Sequence, residues 1–296
     1  MLELNKKCDI ISKVIEGGDI MNAKPIVKWA GGKRQLIEKL LKYMPTEYNN
    51  YFEPFIGGGA LLFELMPKNA IISDINEELL TIYKCLADEE KFKLMIIDLE
   101  EHEKNHCEEY YYNIREMDRS EEFKNLPIWK RASRAIYLNK SCFNGLYRVN
   151  GKGYFNVPFG KKKKVITYDR ENIMILHKYF TNENICIREC DFSETVKTAK
   201  QGDFVYFDPP YDPFEDKETF TSYTKLDFTK EDQKRLSEVF KDLSNKGVYV
   251  MLSNHNTKYI NELYEGFNIY VVNAKRMINA DSKGRGNVEE VIITNY

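Results

Sequence analysis

The sequence predicts an α/β fold in which parallel strands alternate with helices. From Ile26 onward, short apolar runs are followed by helical patterns, first in YFEPFIGGG and ALLFELM and then in AIISDIN and EELLTIYKCLA. After an interruption the alternation resumes with NICIRECDF, DFVYFDPPY, GVYVMLSN and the closing runs NIYVVNA and EEVIITNY. Helices are expected between these later strands, at about 230–246 and 257–265. Together these patterns are typical of one large α/β domain.

The interruption predicts an inserted domain. Residues 89–140 carry helical patterns throughout and are rich in charged and aromatic side chains. FNGLYRVNGKGYFNVPFG then places two aromatic and β-branched runs around Asn-Gly-Lys-Gly, which is typical of a hairpin near 143–160. We therefore divide the chain into an N-terminal extension (1–23), an α/β domain (24–88 and 166–296) and an insertion (89–165).

The composition is that of an ordinary globular protein. Of the 296 residues, 43% are hydrophobic and 30% are charged, unlike a disordered chain. No apolar run is long enough to cross a bilayer, and the first residues lack the apolar stretch of a secretory signal. The six cysteines form no close pair, and Cys186 and Cys190 have no neighbouring histidine. We therefore expect reduced thiols, no metal site and a cytoplasmic location.

Positive charge is concentrated in one part of the chain. The net charge is −2, but residues 124–170 hold twelve Lys or Arg and a single acid, Asp169. This stretch carries +11 and the remainder −13. A basic block within an acidic protein favours contact with phosphates. The plain alternative is a solvated surface with a lysine run at 161–164.

A glycine-rich turn at Gly57–Gly59 follows a predicted strand and indicates close approach of the backbone to a ligand. The dinucleotide-binding fingerprint requires a third glycine at position 62, where this sequence has Leu62. A P-loop requires Ser or Thr after Gly-Lys, whereas Gly32-Lys33 is followed by Arg34. Asp74 ends the next strand, where an acid can accept both hydroxyls of a ribose; its alternative role is a helix cap. A nucleoside site without pyrophosphate predicts S-adenosylmethionine as the cofactor.

The run DFVYFDPPY ends an apolar strand with groups suited to an amine. Asp208 lies at the carboxyl end of the strand, where open α/β sheets bind ligands. Pro209 and Pro210 stiffen the turn and leave carbonyls as acceptors, and Tyr211 offers a face for a planar base. Accepting both hydrogens of an aromatic amine returns its lone pair to nitrogen, which can then attack a methyl group on a sulfonium. The alternative is a turn that only ends the strand.

The ordered set of motifs resembles the amino-group DNA methyltransferases, and specifically the Dam-type adenine methyltransferases. The likeness runs from about Pro25 to Tyr296 and includes KWAGGKRQL, EPFIGGGALLF, SDIN, NGLYRVNGKGYFNVPFG, CDF, DPPY and EEVIITNY. DPPY alone is moderately specific, whereas the whole set in this order is highly specific. The resemblance implies a Rossmann-like S-adenosylmethionine-dependent methyltransferase fold with an inserted DNA-recognition domain of helices and a β-hairpin.

The resemblance also implies roles for individual residues. Asp74 is expected to hold the ribose, Asp191 and Phe192 to border the adenine ring, and Asp208 to lie close to the methionine end. Lys33 is expected near the methionine portion as a positive group. The other residues implied for the cofactor pocket are Trp29, Phe55, Gly57 and Gly59. The implied catalytic residues, which would grip the target base, are Asp208, Pro209, Pro210 and Tyr211.

The insertion is expected to bind double-stranded DNA, since a two-stranded ribbon can enter the major groove. In Dam-like enzymes an arginine at the position of Arg148 reads guanine, in agreement with the bidentate geometry of arginine. Phe143 matches an aromatic that wedges into the base stack. The expected phosphate contacts are Lys161, Lys162, Lys163 and Lys164. The other expected DNA contacts are Lys28, Asn144, Leu146 and Pro158.

The resemblance implies that the target is an adenine flipped out of GATC. Methylation of the cytosine amino group is an alternative, although its enzymes more often carry Ser at the position of Asp208. A catalytically inactive DNA-binding relative is another, against which the intact Asp208, Tyr211 and Gly57–Gly59 argue. Methylation at a cytosine ring carbon requires a nucleophilic cysteine, usually after proline, and the sequence has no Pro-Cys.

The resemblance is compatible with three biological settings. The protein belongs to a restriction–modification pair with a cognate endonuclease, or acts alone in the control of replication or gene expression, or is a phage enzyme acting in the bacterial cytoplasm. It implies neither contact with a membrane nor a stable protein partner.

Overall fold

A twisted sheet lies at the centre of the computed structural model, which describes residues 23–29, 31–33, 36–214, 228–275 and 287–296. Its seven strands are ordered β3-β2-β1-β4-β5-β7-β6. All neighbouring pairs are parallel except those that involve β7, which is antiparallel to β5 and to β6. The predicted α/β class with a mainly parallel sheet is therefore confirmed. The strands are β1 Tyr51–Glu53, β2 Asn69–Asp74, β3 Asn184–Glu189, β4 Phe204–Phe207, β5 Tyr249–His255, β6 Asn268–Lys275 and β7 Asn287–Thr294.

The central strands are apolar because both of their faces are covered. Every residue of β1 and of β4 is buried, which explains why neither strand alternates between apolar and polar side chains. Since β1, β2 and β4 run in the same direction, their carboxyl ends reach one edge of the sheet. Glu53, Asp74 and Asp208 lie at or directly after these ends.

Several of the helices begin at polar caps. Side-chain oxygens of Asn76, Asp88 and Asp169 accept a backbone N–H at three helix starts, and Thr229 and Asp232 form a capping box at a fourth. None of the helices described is long and apolar enough to cross a membrane. The helices are α1 Ile37–Tyr43, α2 Ala60–Leu65, α3 Glu77–Leu86, α4 Glu89–Lys104, α5 Glu108–Glu116, α6 Ile128–Ser141, α7 Arg170–Asn182, α8 Phe192–Thr195, α9 Lys230–Asn245 and α10 Lys258–Leu263.

The helices of the insertion share a core with the sheet. Phe92 and Met95 of α4 and Ile136 of α6 belong to the same buried cluster as residues of β1, β2 and β4. A second cluster lies within the insertion itself and contains Tyr111, Tyr137, Leu138, Cys142, Phe155, Val157 and Val165. The boundaries at 89 and 165 stay predictions. The predicted extension at 1–23 lies outside the described residues except for Ala23.

Residues 143–160 fold back on themselves with little regular pairing. Val149 and Phe155 form one isolated antiparallel bridge, and Cys142 and Phe159 form another. The chain reverses between them, where the backbone N–H of Gly153 donates to the carbonyl of Asn150 at 2.8 Å. The two runs of the predicted hairpin therefore meet at separate points rather than along a continuous ladder.

Candidate active site at the carboxyl edge of the sheet

Asp208 is held by a neighbour on the next strand. Phe207 of β4 pairs with Leu252 of β5, so the residues that follow them, Asp208 and Ser253, are also adjacent. Ser253 Oγ donates to Asp208 Oδ1 at 2.8 Å, and Tyr206 Oη lies 2.9 Å from Ser253 Oγ. The strand register thus gives the carboxylate a fixed hydrogen-bond donor.

Lys33 joins the KWAGGKRQL segment to this carboxylate. Its Nζ lies 2.8 Å from Asp208 Oδ1, and the two side chains are 7% and 19% exposed. The same Nζ donates to the carbonyl of Gly31 and lies 4.3 Å from the ring centroid of Tyr211. Burial raises the pKa of the Asp208 carboxyl, while the charge of Lys33 and the Ser253 hydrogen bond oppose that rise. The structure therefore brings Lys33, Asp208 and Tyr211 together.

The turn after β4 is held by hydrogen bonds to β7 and to α9. Tyr211 Oη donates to Glu290 Oε2 of β7 at 3.1 Å, and its ring meets that of His255 nearly edge-on. Gln233 Nε2 donates to the carbonyl of Pro210 at 2.8 Å. The Pro210 carbonyl is therefore an acceptor, as expected, but its partner is a side chain of α9.

The glycine turn requires glycine for two physical reasons. Gly57 has φ of +46°, and a Cβ on it would lie 2.8 Å from Trp29 Cδ1. The backbone N–H of Gly57 donates to Asp74 Oδ2 at 3.1 Å, and its carbonyl accepts from Tyr83 Oη at 2.7 Å. The Trp29 side chain therefore lies directly against the turn, and Asp74 is anchored to it.

Asp74 and Ile75 place a carboxylate and an exposed apolar side chain next to each other. Burial raises the pKa of the half-buried Asp74 carboxyl to about 6, although the N–H groups of Asn76 and Gly57 partly offset the effect. The N–H groups of Gly57 and Asn76 each donate to one oxygen of Asp74. Because each carboxylate oxygen has two lone pairs, both oxygens can still accept a hydrogen bond from a ligand. Ile75 follows with 53% of its side chain exposed, which is unusual for a large apolar residue beside a buried strand.

Asp191 is paired with an arginine, and the Phe192 ring is more enclosed than expected. Arg235 of α9 binds both carboxylate oxygens of Asp191, at 2.6 and 2.8 Å, and lowers the pKa of that carboxyl to about 2. The Arg235 guanidinium also lies 4.2 Å from the ring centroid of Phe192, and Phe55 stacks on the same ring at 5.4 Å. Phe192 is only 2% exposed. A planar ligand could contact its ring only if Phe55 or Arg235 moved.

The predicted DNA contacts lie mainly on the surface of the insertion, and Lys28 alone belongs to the α/β domain. Phe143 is 52% exposed. Arg148 is also exposed, and its Nε donates to Asn156 Oδ1 at 2.7 Å. Leu146 is half-buried. The other predicted contacts are exposed, namely Lys28, Asn144, Pro158, Lys161, Lys162, Lys163 and Lys164.

Asn139 of α6 connects the loop at Gly145 to the segment at Lys28. Its side chain accepts from the N–H of Lys28 at 2.9 Å and donates to the carbonyls of Lys28 and Gly145 at 2.8 and 3.1 Å. The Trp29 and Tyr147 rings lie 4.8 Å apart. Lys28 and Trp29 therefore contact both the loop that contains Gly145 and Tyr147 and the glycine turn at Gly57.

Not all of the basic block is available to phosphates. Arg131 and Arg134 are buried, with 8% and 4% of their side chains exposed. Arg131 pairs with Glu77 and Glu78, and Arg134 pairs with Asp118. Arg134 is paired within the insertion and Arg131 with α3 of the α/β domain, so the charge that faces outward is smaller than the sequence count suggests.

Several residues of the site were missed by sequence reasoning. Glu53 is buried at the end of β1, where it accepts from Tyr51 Oη at 2.8 Å and where burial raises its pKa well above the usual value. Its position at a strand end was a signal that could have been used. The other missed residues are Ile75, Asn139, Asn156, Gln233, Arg235, Ser253 and Glu290.

Known proteins match the chain along most of its length. A family model described as D12 class N6 adenine-specific DNA methyltransferase matches residues 29–278. "Type II methyltransferase M1.LlaDCHI" of Lactococcus lactis subsp. cremoris is 45% identical, covering 93% of this chain and 96% of that protein. "Type II methyltransferase M.MjaIII" of Methanocaldococcus jannaschii is 40% identical, covering 93% and 100%. "DNA adenine methylase" of Vibrio cholerae serotype O1 is 33% identical, covering 91% and 95%.

Replacement of Gly57 by alanine is expected to lower the free energy of unfolding by about 1–3 kcal/mol. The new Cβ would meet Trp29 and the residue would hold a left-handed φ. Gly151→Ala is the matched control, because a Cβ there has no neighbour within 4 Å, and its change should stay within about 0.5 kcal/mol. Urea denaturation measures both, and equal stability of the two variants would contradict the role of the turn.

Removal of Arg235 is expected to destabilise the protein in a pH-dependent manner. The Asp191 carboxyl has a lowered pKa in the folded chain, so its contribution is complete above about pH 4 and is lost as the pH falls toward about 2. The melting temperatures of the wild type and of Arg235→Met should therefore converge as the pH falls through that range. Arg170→Met, which breaks a more exposed ion pair with Glu100, is the control. A constant difference between wild type and Arg235→Met would refute the assignment.

Proposed function

Because this chain belongs to the D12 class of N6 adenine-specific DNA methyltransferases, we propose that it methylates an adenine flipped out of GATC in duplex DNA. The observation that carries the proposal is the position of Asp208 and Tyr211 beside Lys33, at the sheet edge that also holds Asp74. An acceptor for an amine and an acceptor for a ribose therefore share one edge, as a transfer between two bound molecules requires.

The cofactor of the proposed reaction is S-adenosylmethionine, which methyltransferases generally use and which supplies a methyl group on a sulfonium. The residues at the sheet edge fit this group. Asp74 accepts the ribose hydroxyls, the exposed Ile75 lies beside the adenine, and the Gly57–Gly59 turn allows close approach of the backbone. Lys33 supplies a positive charge for the carboxylate of the methionine portion. Asp191 contributes at the rim of this pocket, where Arg235 fixes its orientation.

Asp208 prepares the target amine for attack. Ser253 and Lys33 both contact Oδ1, and we assign Oδ2 and the carbonyl of Pro209 to the two hydrogens of the amine. Accepting both hydrogens localises the nitrogen lone pair, which would form the new bond to the methyl carbon as the bond between that carbon and the sulfonium breaks. The cofactor would leave as a neutral thioether, and the surplus proton on nitrogen would pass to the Asp208 carboxylate. Tyr211 stacks on the base, and Glu290 sets the direction of its ring through the hydroxyl.

The insertion reads the DNA and helps to open it. Arg148 contacts a guanine in the major groove, with its guanidinium oriented by Asn156. The exposed Phe143 fills the space left in the base stack. Lys161 to Lys164 contact phosphates and add affinity without sequence information.

The relatives support a place in a restriction–modification system. The two named type II methyltransferases are 45% and 40% identical to this chain, against 33% for the relative named DNA adenine methylase. The partner implied by such a setting is a cognate endonuclease that acts on the same DNA in the cytoplasm, without a stable complex between the two proteins.

Methylation of plasmid DNA tests the proposed target. Plasmid incubated with the protein and S-adenosylmethionine is digested with endonucleases that differ in their sensitivity to adenine methylation at GATC. The enzyme blocked by methylation should fail to cut, and single-molecule sequencing should place the modified adenine in that sequence. Complete cutting by the blocked enzyme would reject GATC.

Asp208→Asn is expected to lower the turnover number by about 10²–10³-fold, since the amide keeps the shape of the carboxylate but replaces an acceptor oxygen with a donor. Transfer of a labelled methyl group to DNA measures the effect, and circular dichroism checks the fold. Asp242→Asn replaces an exposed carboxylate on α9 and should leave turnover unchanged. Retention of most activity by Asp208→Asn would mean that the carboxylate has another task.

Arg148 and the lysine run are expected to differ in the kind of binding they provide. Arg148→Ala should reduce discrimination at one guanine by about 1–3 kcal/mol. Lys163→Met should weaken binding to all sequences alike and reduce the slope of log affinity against log salt by about 1. Fluorescence anisotropy with GATC and altered duplexes measures both. Equal loss of discrimination in the two variants would contradict the assignment.

A further inference from the structure

The ammonium of Lys33 lies where the target amine is proposed to bind. Its Nζ is 2.8 Å from the Asp208 carboxylate and 4.3 Å from the centroid of the Tyr211 ring. A carboxylate acceptor and an aromatic face are the two partners that the proposed function assigns to the adenine. The Lys33 ammonium contacts the same carboxylate through Oδ1 and the same ring, so it lies in the space between the two partners even though Oδ2 is the oxygen assigned to the amine.

This arrangement is buried, so that solvent does not readily replace it. The Lys33 and Asp208 side chains are 7% and 19% exposed, and Tyr211 is half-buried. Lys33 receives further support from the carbonyl of Gly31, to which Nζ donates. Removing either charge from a buried pair leaves the other without compensation. An entering neutral amine cannot offset that loss by itself.

A second anion can replace Asp208 as the partner of Lys33. The proposed cofactor has one in the carboxylate of its methionine portion. Lys33 follows Trp29 by four residues, and the Trp29 side chain lies against Gly57 of the glycine turn, where that cofactor is proposed to bind. Movement of Nζ to that carboxylate keeps the ammonium paired. It also frees Asp208 and Tyr211 at the same time.

We propose that Lys33 is a positioning residue of the target-base pocket, which it fills until the cofactor carboxylate draws its ammonium away. The inference rests on the proposed function and adds an order to it, because the flipped base is accepted only after the cofactor is bound. Base entry and cofactor occupancy are then coupled through one side chain, and the coupling is reciprocal. Premature extrusion of a base into a site without a methyl donor is avoided.

The order is tested on the wild-type protein with GATC duplexes in which 2-aminopurine replaces the target adenine, since its fluorescence rises when the base leaves the stack. The signal is measured without ligand, with S-adenosylhomocysteine and with 5′-methylthioadenosine, which keeps the adenosine but lacks the carboxylate. S-adenosylhomocysteine at saturation should raise the signal several-fold, and 5′-methylthioadenosine should leave it near the level without ligand. Equal signals with the two ligands would overturn the inference.

A variant gives an independent test. Lys33→Met keeps the length of the side chain without the charge, so the 2-aminopurine signal without ligand should rise several-fold and become insensitive to S-adenosylhomocysteine. Lys84→Met removes a lysine from an ion pair with Glu189 outside the site and should behave as the wild type. A signal without ligand in folded Lys33→Met as low as that of the wild type would overturn the inference. If Lys33→Met fails to fold, the wild-type comparison decides alone.

Failure of the inference can be told apart from failure of the proposed function. Wild-type protein that transfers a labelled methyl group to adenine in GATC supports the proposed function whatever the fluorescence shows. Methyl transfer together with full extrusion in the absence of ligand would reject only the role of Lys33. Absence of methyl transfer to adenine in any duplex would reject the proposed function, and with it the inference.

Discussion

The pairing of β4 with strands on both sides fixes the position of Asp208. Its partners β1 and β5 are parallel to it, and all four of its residues are buried. A change of register by one residue would turn every side chain of the strand to the opposite face, and would separate Tyr206 and Asp208 from Ser253. The same register places Ser253 beside Asp208. The chemistry at the edge therefore depends on the packing of the sheet.

Placing several carboxylates at one edge raises the free energy of the folded chain, and the structure offsets this in different ways. Asp208 has an ammonium and a hydroxyl, Asp74 has two backbone N–H groups, and Glu53 has a tyrosine hydroxyl. Burial nevertheless raises the pKa of all three. Carboxyl groups with perturbed pKa values, gathered at one edge of a sheet, are candidates for a functional site. Hydrogen bonds from the proposed cofactor and target base would further offset the cost of burying Asp74 and Asp208.

Much of the fold and part of the site could be predicted from the sequence. The α/β alternation and the positions of Asp74 and Asp208 at strand ends follow from local patterns, because strand ends are marked by the change from apolar to polar residues. The partners of the site residues could not be predicted in this way. Ser253, Glu290 and Arg235 belong to elements that are distant in sequence and are brought to the site only by the tertiary fold. The burial of Arg131 and Arg134 was missed because a charge count does not separate internal ion pairs from a surface.

The central claim is that Asp208 grips the amine of an extruded adenine beside the cofactor. A crystal structure of the protein with a GATC duplex and a non-reactive analogue of S-adenosylmethionine tests it most directly. The account predicts the exocyclic nitrogen within about 3 Å of the Asp208 carboxylate, the base against Tyr211, and the analogue's ribose on Asp74. An extruded base held away from Asp208, or an analogue bound away from Asp74, would contradict it.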